Sequence, residues 1–240
     1  MSSPRLFRVL CLPGYTQNGM ILRKKTGALR KTLKSVAELE YIDPPILMPV
    51  PEEGPEELKK KIGDQLLTED EKPYAWFFRQ ADGSCKGLEE ALDYLFALLD
   101  RQGPFDAIFG FSQGFRFEDA LTLPYYDSSP THCPTLHILG KQDTLIDPER
   151  SHALASLFPK AEVYEHKGGH VMPSDSAGRK TVLAFLQSIP QDTLADKEIC
   201  HRDGCFLKRH KDPRPQYILV ECAFDEKGSL LPYWVPHSGV

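Results

Sequence analysis

GPFDAIFGFSQG, residues 103–114, decides how the rest of the chain is read. Gly103 and Pro104 stop whatever precedes them, and Phe105 to Phe111 is a short apolar run broken only by Asp106. Such a run suits a buried parallel strand. It passes directly into Gly110-Phe111-Ser112-Gln113-Gly114, the G-x-S-x-G pattern of a nucleophile elbow. A serine on a tight strand-to-helix turn stands out over the carboxyl end of a sheet. The two glycines let neighbouring backbone close on that turn. The pentapeptide alone is common by chance, and the strand in front of it gives it weight.

A serine hydroxyl is a poor nucleophile at neutral pH and needs a base. In this architecture the chain order is Ser, then Asp or Glu, then His. Asp143 fits the second role, three residues past the apolar run Thr135–Gly140, in GKQDTLIDP. Asp147 lies further into the same loop and reads as a cap for the next helix. His170 fits the third role, because the glycines of GGH let a tight loop aim its imidazole. His166 is the rival, but it sits at the end of its own strand, AEVYEH. His132, His137 and His152 read as structural or solvated. In this scheme His170 takes the Ser112 proton and Asp143 orients the imidazolium. The developing oxyanion needs backbone donors. Gln113 N–H supplies one, and the loop after the first strand, LPGYTQNG, supplies the other, Tyr15 N–H.

Outward from the elbow, strands alternate with helices. LFRVLCL, ELEYI, TLHILG and AEVYEH read as strands. The stretch bearing Leu22, Leu29 and Leu33 reads as helix, as do PEELKKKIGDQLL, SHALASLF and SAGRKTVLAFLQS. GLEEALDYLFALLDRQG is the clearest, with Leu88, Leu92, Leu95 and Leu99 on one face and Gly103-Pro104 as its stop. The alternation predicts an α/β fold, a mostly parallel sheet with helices on both faces. After Pro190 the pattern changes. QYILVECAF can be a strand, but the remainder is polar and irregular. The expected organisation is one domain over 1–190 and an appended hairpin or partly disordered extension over 191–240.

Composition narrows the function. A chain of 240 residues with 41% hydrophobic and 26% charged residues is globular, and a net charge of −5 disfavours a nucleic-acid partner. The basic run HRDGCFLKRHKDPRP is interrupted by Asp203 and Asp212 and reads as solvated. No apolar run reaches the roughly 18 residues of a membrane span, and MSSPRLFRVLCLPGY reads as a first strand rather than a signal peptide. The six cysteines follow no framework spacing, which points to reduced thiols in cytoplasm or nucleus. Cys200, His201, Cys205 and His210 interleave in a way that zinc sites do not, so no metal is expected. No phosphate loop, nicotinamide fingerprint or haem motif occurs, and no cofactor is implied. The expected partner is a small-molecule ester or thioester, with oligomeric state open.

LCLPGYTQNG, RKKTGALRKTLK, EYIDPP, AWFF, GPFDAIFGFSQG, LHILGKQDTLIDPERS and YEHKGGHVMP follow one another in this chain. Together they resemble the FSH family of serine hydrolases, in the α/β-hydrolase superfamily, over about residues 5 to 190. The resemblance implies an esterase or thioesterase with Ser112, Asp143 and His170 as its triad. A thioester substrate is in keeping with family members that release acyl chains from polyketide synthases. It further implies that Trp76, Phe77 and Phe78 wall the substrate pocket; the other reading is that they are core aromatics.

The chain departs from the family in two places. Pro13 stands where the family usually has histidine. And Gly114 runs at once into FRFEDALTLPYY, where the family continues into an alanine-rich helix and a further strand. One helix and one strand are missing. Two outcomes are expected: TLHILG pairs directly beside FDAIFGF, shifting the sheet by ~4.8 Å, or a gap opens in mid-sheet. Residues 115–123 offer partial compensation as a short helix before Pro124. A catalytically impaired chain that only binds acyl ligands or partners is the alternative to an active enzyme.

Overall fold

The computed structural model describes residues 5–48, 68–115, 134–156, 158–172, 174–189 and 217–221. The main sheet is built from β1 (Phe7–Leu12), β2 (Ala37–Tyr41), β7 (Ala107–Gly110), β8 (Thr135–Gly140), β9 (Ala161–His166) and β10 (Tyr217–Glu221). Four short strands make two small antiparallel pairs: β3 (Ile46–Leu47) with β4 (Tyr74–Ala75), and β5 (Phe78–Arg79) with β6 (Cys85–Lys86). The helices are α1 (Gly19–Lys25), α2 (Gly27–Leu33), α3 (Leu88–Gln102), α4 (Pro148–Ser156) and α5 (Ser176–Ser188).

The main sheet runs β2-β1-β7-β10-β8-β9, and every pairing in it is parallel. Its interior strands are near-continuous apolar runs because both faces are covered. β1 divides between the two layers. Phe7, Val9 and Cys11 join Leu22, Leu29, Leu33, Val182, Phe185 and Leu186 on one face. Leu10 and Leu12 join Leu88, Ala91, Leu95, Leu98, Trp76 and Phe77 on the other. Burying a large apolar side chain removes it from water with a gain of about 1.5–3 kcal/mol, so the two buried clusters hold the helices onto both faces.

The helix boundaries follow local chemistry. The stretch expected as one helix over Leu22–Leu33 is two, broken at Thr26. The Thr26 hydroxyl donates back to the Leu22 carbonyl at 2.8 Å and meets the Tyr41 hydroxyl at 2.6 Å. Side-chain bonding of that kind competes with the helix ladder. α3 carries Glu89 and Glu90 in its first turn and Arg101 in its last, matching the helix dipole, and Gly103 N–H closes it on Leu99 O at 2.9 Å. Asp147 caps α4, accepting from Glu149 N–H at 2.9 Å, with Pro148 at the first helical position. Asp175 caps α5 through Gly178 N–H at 2.8 Å.

The slot between β7 and β8 is filled. β7 and β8 are not neighbours, and the sheet has no gap between them: β10, from the far end of the chain, pairs with both. Residues 191–240 were expected as an appendage, yet Tyr217–Glu221 lies inside the main sheet. Neither the inward shift of β8 nor an open seam occurs. The sequence Tyr-Ile-Leu-Val-Glu is apolar enough for an interior parallel strand, which is the physical reason it can occupy this slot. The expected helix over 55–67, most of the expected helix over 115–123, His132 and the Cys200–His210 cluster lie outside the described residues. Among the described residues no helix is long and apolar enough to cross a membrane.

Candidate active site

The chain leaves β1 to form β2 on one side and later returns to form β7 on the other. Ligand sites in parallel α/β sheets form at such a reversal, outside the carboxyl ends of the strands. The two loops at this point are Pro13–Asn18, after β1, and the turn of 3-10 helix Ser112–Phe115, after β7.

Ser112 has φ 52°, one of two non-glycine residues at positive φ among the described ones; the other is Thr16 at φ 61°, in the facing loop. A left-handed conformation costs a residue with a Cβ roughly 1–3 kcal/mol and persists where its surroundings enforce it. Here the enforcement is visible. Phe111 N–H donates to Leu12 O at 3.0 Å and Gly114 N–H to Phe111 O at 2.9 Å. A Cβ on Gly114 would collide with the Leu12 and Pro13 carbonyl oxygens. A Cβ on Gly14 would lie 2.9 Å from the Ser112 Cβ and 3.0 Å from the Phe111 ring. The elbow and the first loop are therefore in backbone contact, and both glycines are required by it.

A side chain that sequence reasoning treated only as the owner of an N–H fastens this contact. The buried Gln113 carboxamide accepts from Trp76 N–H at 3.0 Å and donates to Phe77 O at 2.7 Å. The Trp76 indole N–H in turn donates to Pro13 O at 2.8 Å. Three segments distant in sequence are thus tied together by three hydrogen bonds. Trp76 and Phe77 are 5% and 2% exposed and belong to the core under the site, so their surroundings are those of the core-aromatic reading. Phe78 is half-buried. The Pro13 departure costs no donor that this arrangement uses, because the atom engaged is its carbonyl.

On the far side of β10, β8 and β9 present the other two candidates. Lys141 N–H donates to His166 O at 2.8 Å and Gln142 N–H to Gly168 O at 3.0 Å, zipping the two loops together. A Cβ on Gly140 would overlap the Gly168 and Gly169 carbonyl oxygens. His170 Nδ1 lies 2.9 Å from Asp143 Oδ2, with side chains 14% and 5% exposed. Asp143 Oδ1 accepts from both Leu145 N–H and Ile146 N–H at 2.9 Å. A carboxylate oxygen accepts, so Nδ1–H of His170 donates to it, and in the neutral ring the lone pair then lies on Nε2. The His170 ring stacks on Phe111 at 5.1 Å between centroids, and Phe111 is the residue before Ser112. The structure thus brings the Ser112, Asp143 and His170 segments to one end of the sheet.

The rival histidine is committed elsewhere. His166 Nδ1 accepts from Gly168 N–H at 3.1 Å, and its buried Nε2 has no hydrogen-bond partner among the described residues. Burial pushes its pKa down. It shapes the GGH turn. His137, on β8, is fully buried, 3.1 Å from the Thr135 hydroxyl and against Phe158, and burial lowers its pKa to about 4. His152 is exposed and bonds Glu165 at 2.7 Å. Tyr15 stands in the first loop, and burial raises the pKa of its phenol.

The family model described as serine hydrolase (FSH1) matches residues 1–123 and 114–182. The human protein named esterase OVCA2 is 32% identical over 230 residues, covering 80% of this chain and 100% of that one. Its mouse counterpart is 33% identical over 229 residues, with the same 80% and 100% coverage. The alignment uses fewer residues here than in the relative. Among solved structures, Arabidopsis thaliana SOBER1 superposes with a TM-score of 0.52 at 13% identity, covering 77% of this chain and 99% of that one. At that identity the likeness concerns the fold, an α/β-hydrolase.

Proposed function

This chain belongs to the FSH1 family of serine hydrolases and is a serine esterase, and on that premise we propose that it cleaves small acyl esters or thioesters through an acyl-enzyme on Ser112. The observation that carries the residue assignment is the 2.9 Å bond between His170 and Asp143, on a ring stacked against the residue preceding a serine held at φ 52°.

In this reading the Ser112 hydroxyl oxygen attacks the acyl carbonyl carbon while His170 Nε2 takes its proton. The Asp143 carboxylate holds Nδ1–H and stabilises the imidazolium that forms. The carbonyl oxygen, now an oxyanion, is met by the backbone N–H groups of Gln113 and Tyr15. A donor of this kind contributes roughly 3–4 kcal/mol to the transition state. The contact between Gly14 and Ser112 supports the assignment to Tyr15, since it puts the Pro13–Asn18 loop beside the nucleophile. Collapse of the tetrahedral intermediate expels the alcohol or thiol, which takes the proton from His170 Nε2. Water, deprotonated by the same nitrogen, then attacks the acyl-serine and releases the acid.

Trp76 and Phe77 support the site from below by way of Gln113 and Pro13, and Phe78, half-buried, is the aromatic of the three best placed to meet an acyl chain. A fluorophosphonate probe tests the proposal. The folded chain should label at one site, and Ser112→Ala should remove the label without changing the circular dichroism spectrum. A folded but unlabelled protein would leave the acyl-binding alternative and remove the enzyme.

A further inference from the structure

The strand contributed by residues 217–221 does more than fill space. It stands between the strand that ends in Ser112 and the strand that leads to Asp143, and it reads the register of both. Ile218 pairs with Ile108 on one side and Thr135 on the other; Leu219 with Phe109 and Leu136; Val220 with Gly110 and His137. One backbone therefore fixes which rung of β7 faces which rung of β8. The backbone of β10 also runs close to the turn Ser112–Phe115 itself.

We propose that β10 is a positioning element for the reaction, a strand donated by the C-terminal segment that sets the separation and register of the Ser112 and Asp143–His170 halves of the site. With one strand between them, β7 and β8 stand about 9.6 Å apart, twice the interstrand spacing. Without it they would close by ~4.8 Å or leave two facing rows of unpaired N–H and C=O groups. A hydrogen-bonded triad tolerates neither, since its contacts span about 2.6–3.2 Å. β8 carries Asp143 on its loop and is zipped to the His170 loop, so a movement of β8 carries both residues as a unit relative to Ser112. The bond between His170 and Asp143 would survive the loss of β10; the alignment of that pair with Ser112 would not.

The inference rests on Ser112 as nucleophile, and two measurements on the full chain separate the two. Amide hydrogen exchange reads the strand without any variant. Backbone amides of 218–220 should exchange at least ~10³-fold slower than an unstructured peptide, like those of 108–110 and 136–139, because interior strands open only with the whole domain. Exchange at the rate of a free peptide would overturn the proposal. Probe labelling reads the function. Leu219→Pro removes a ladder donor from an interior strand, a position proline does not occupy, and should slow fluorophosphonate labelling by ~100-fold or more. Leu219→Val, which keeps the donor, should label at the unmodified rate. Equal labelling of the Leu219→Pro protein and the unmodified chain would overturn positioning by β10. An unlabelled unmodified chain would count against Ser112 instead, and the exchange data would then decide the strand alone.

Discussion

Asp143→Asn swaps one oxygen for an NH2 and changes little else, yet the hydrogen bonds around the carboxylate dictate a large effect. Oδ1 accepts from two backbone donors, Leu145 N–H and Ile146 N–H, each at 2.9 Å. In the asparagine variant the carbonyl oxygen must stay on that side. The flipped amide would point its NH2 at two donors, and each buried group left without a partner costs about 1–3 kcal/mol. The NH2 therefore faces His170 Nδ1, which lies 2.9 Å from the other oxygen. An NH2 only donates, so Nδ1 becomes an acceptor and the proton of the neutral ring moves to Nε2. A protonated Nε2 cannot take the Ser112 proton. The corresponding change in a Ser–His–Asp protease lowers kcat about 10⁴-fold, which at 1.36 kcal/mol per tenfold is ~5.4 kcal/mol of barrier. The fold keeps every hydrogen bond in altered polarity, so unfolding free energy should change by no more than ~1 kcal/mol. Steady-state hydrolysis of a short-chain p-nitrophenyl ester reads the first quantity, and urea denaturation the second. A stable variant whose kcat falls less than tenfold would refute the role given to Asp143.

Two further outcomes are expected. Gln113→Glu keeps the shape of the clamp but sets a carboxylate oxygen against Phe77 O, now 2.7 Å from the amide nitrogen. Losing that donor and burying a charge should lower unfolding free energy by about 2–3 kcal/mol and reduce kcat/KM, and an unchanged Tm would remove the clamp. His137 sets an acid limit. Its pKa falls from 6.5 unfolded to about 4 folded through burial. The unfolded chain therefore takes up the proton first as pH drops, and stability present above pH 6.5 is lost as pH falls toward 4, by ~3 kcal/mol. Denaturant midpoints at pH 7, 5.5 and 4.5 should show the loss, and His137→Leu should flatten it. A variant with the same pH slope as the unmodified chain would contradict this.

Much of the site was legible in the sequence because its signals are local. The elbow is a strand followed by two glycines around a serine, Asp147 precedes Pro148 as a cap does, and GGH announces a tight turn. The choice between Asp143 and Asp147, and between His170 and His166, follows from distance along the chain past each strand; in the structure His170 meets Asp143, Asp147 caps α4 and His166 accepts from Gly168 N–H. The break at Thr26 was missed because it depends on Tyr41, which arrives from another strand. The Gln113 side chain was missed for the same reason: its partners at Trp76 and Phe77 are close only after folding.

The amino-acid order by itself determined the parallel α/β architecture and, through the resemblance its motifs carry, the family, against whose pattern the stretch after Gly114 reads as short of a helix and a strand. Those are properties of period, spacing and motif that need no third dimension. Only the tertiary structure decided what stands between β7 and β8. Parallel pairing is made by backbone groups that carry no sequence label, so any apolar segment of suitable length that can reach the seam satisfies it. Tyr217–Glu221 reaches it, and whether Ser112 faces His170 turns on that long-range pairing.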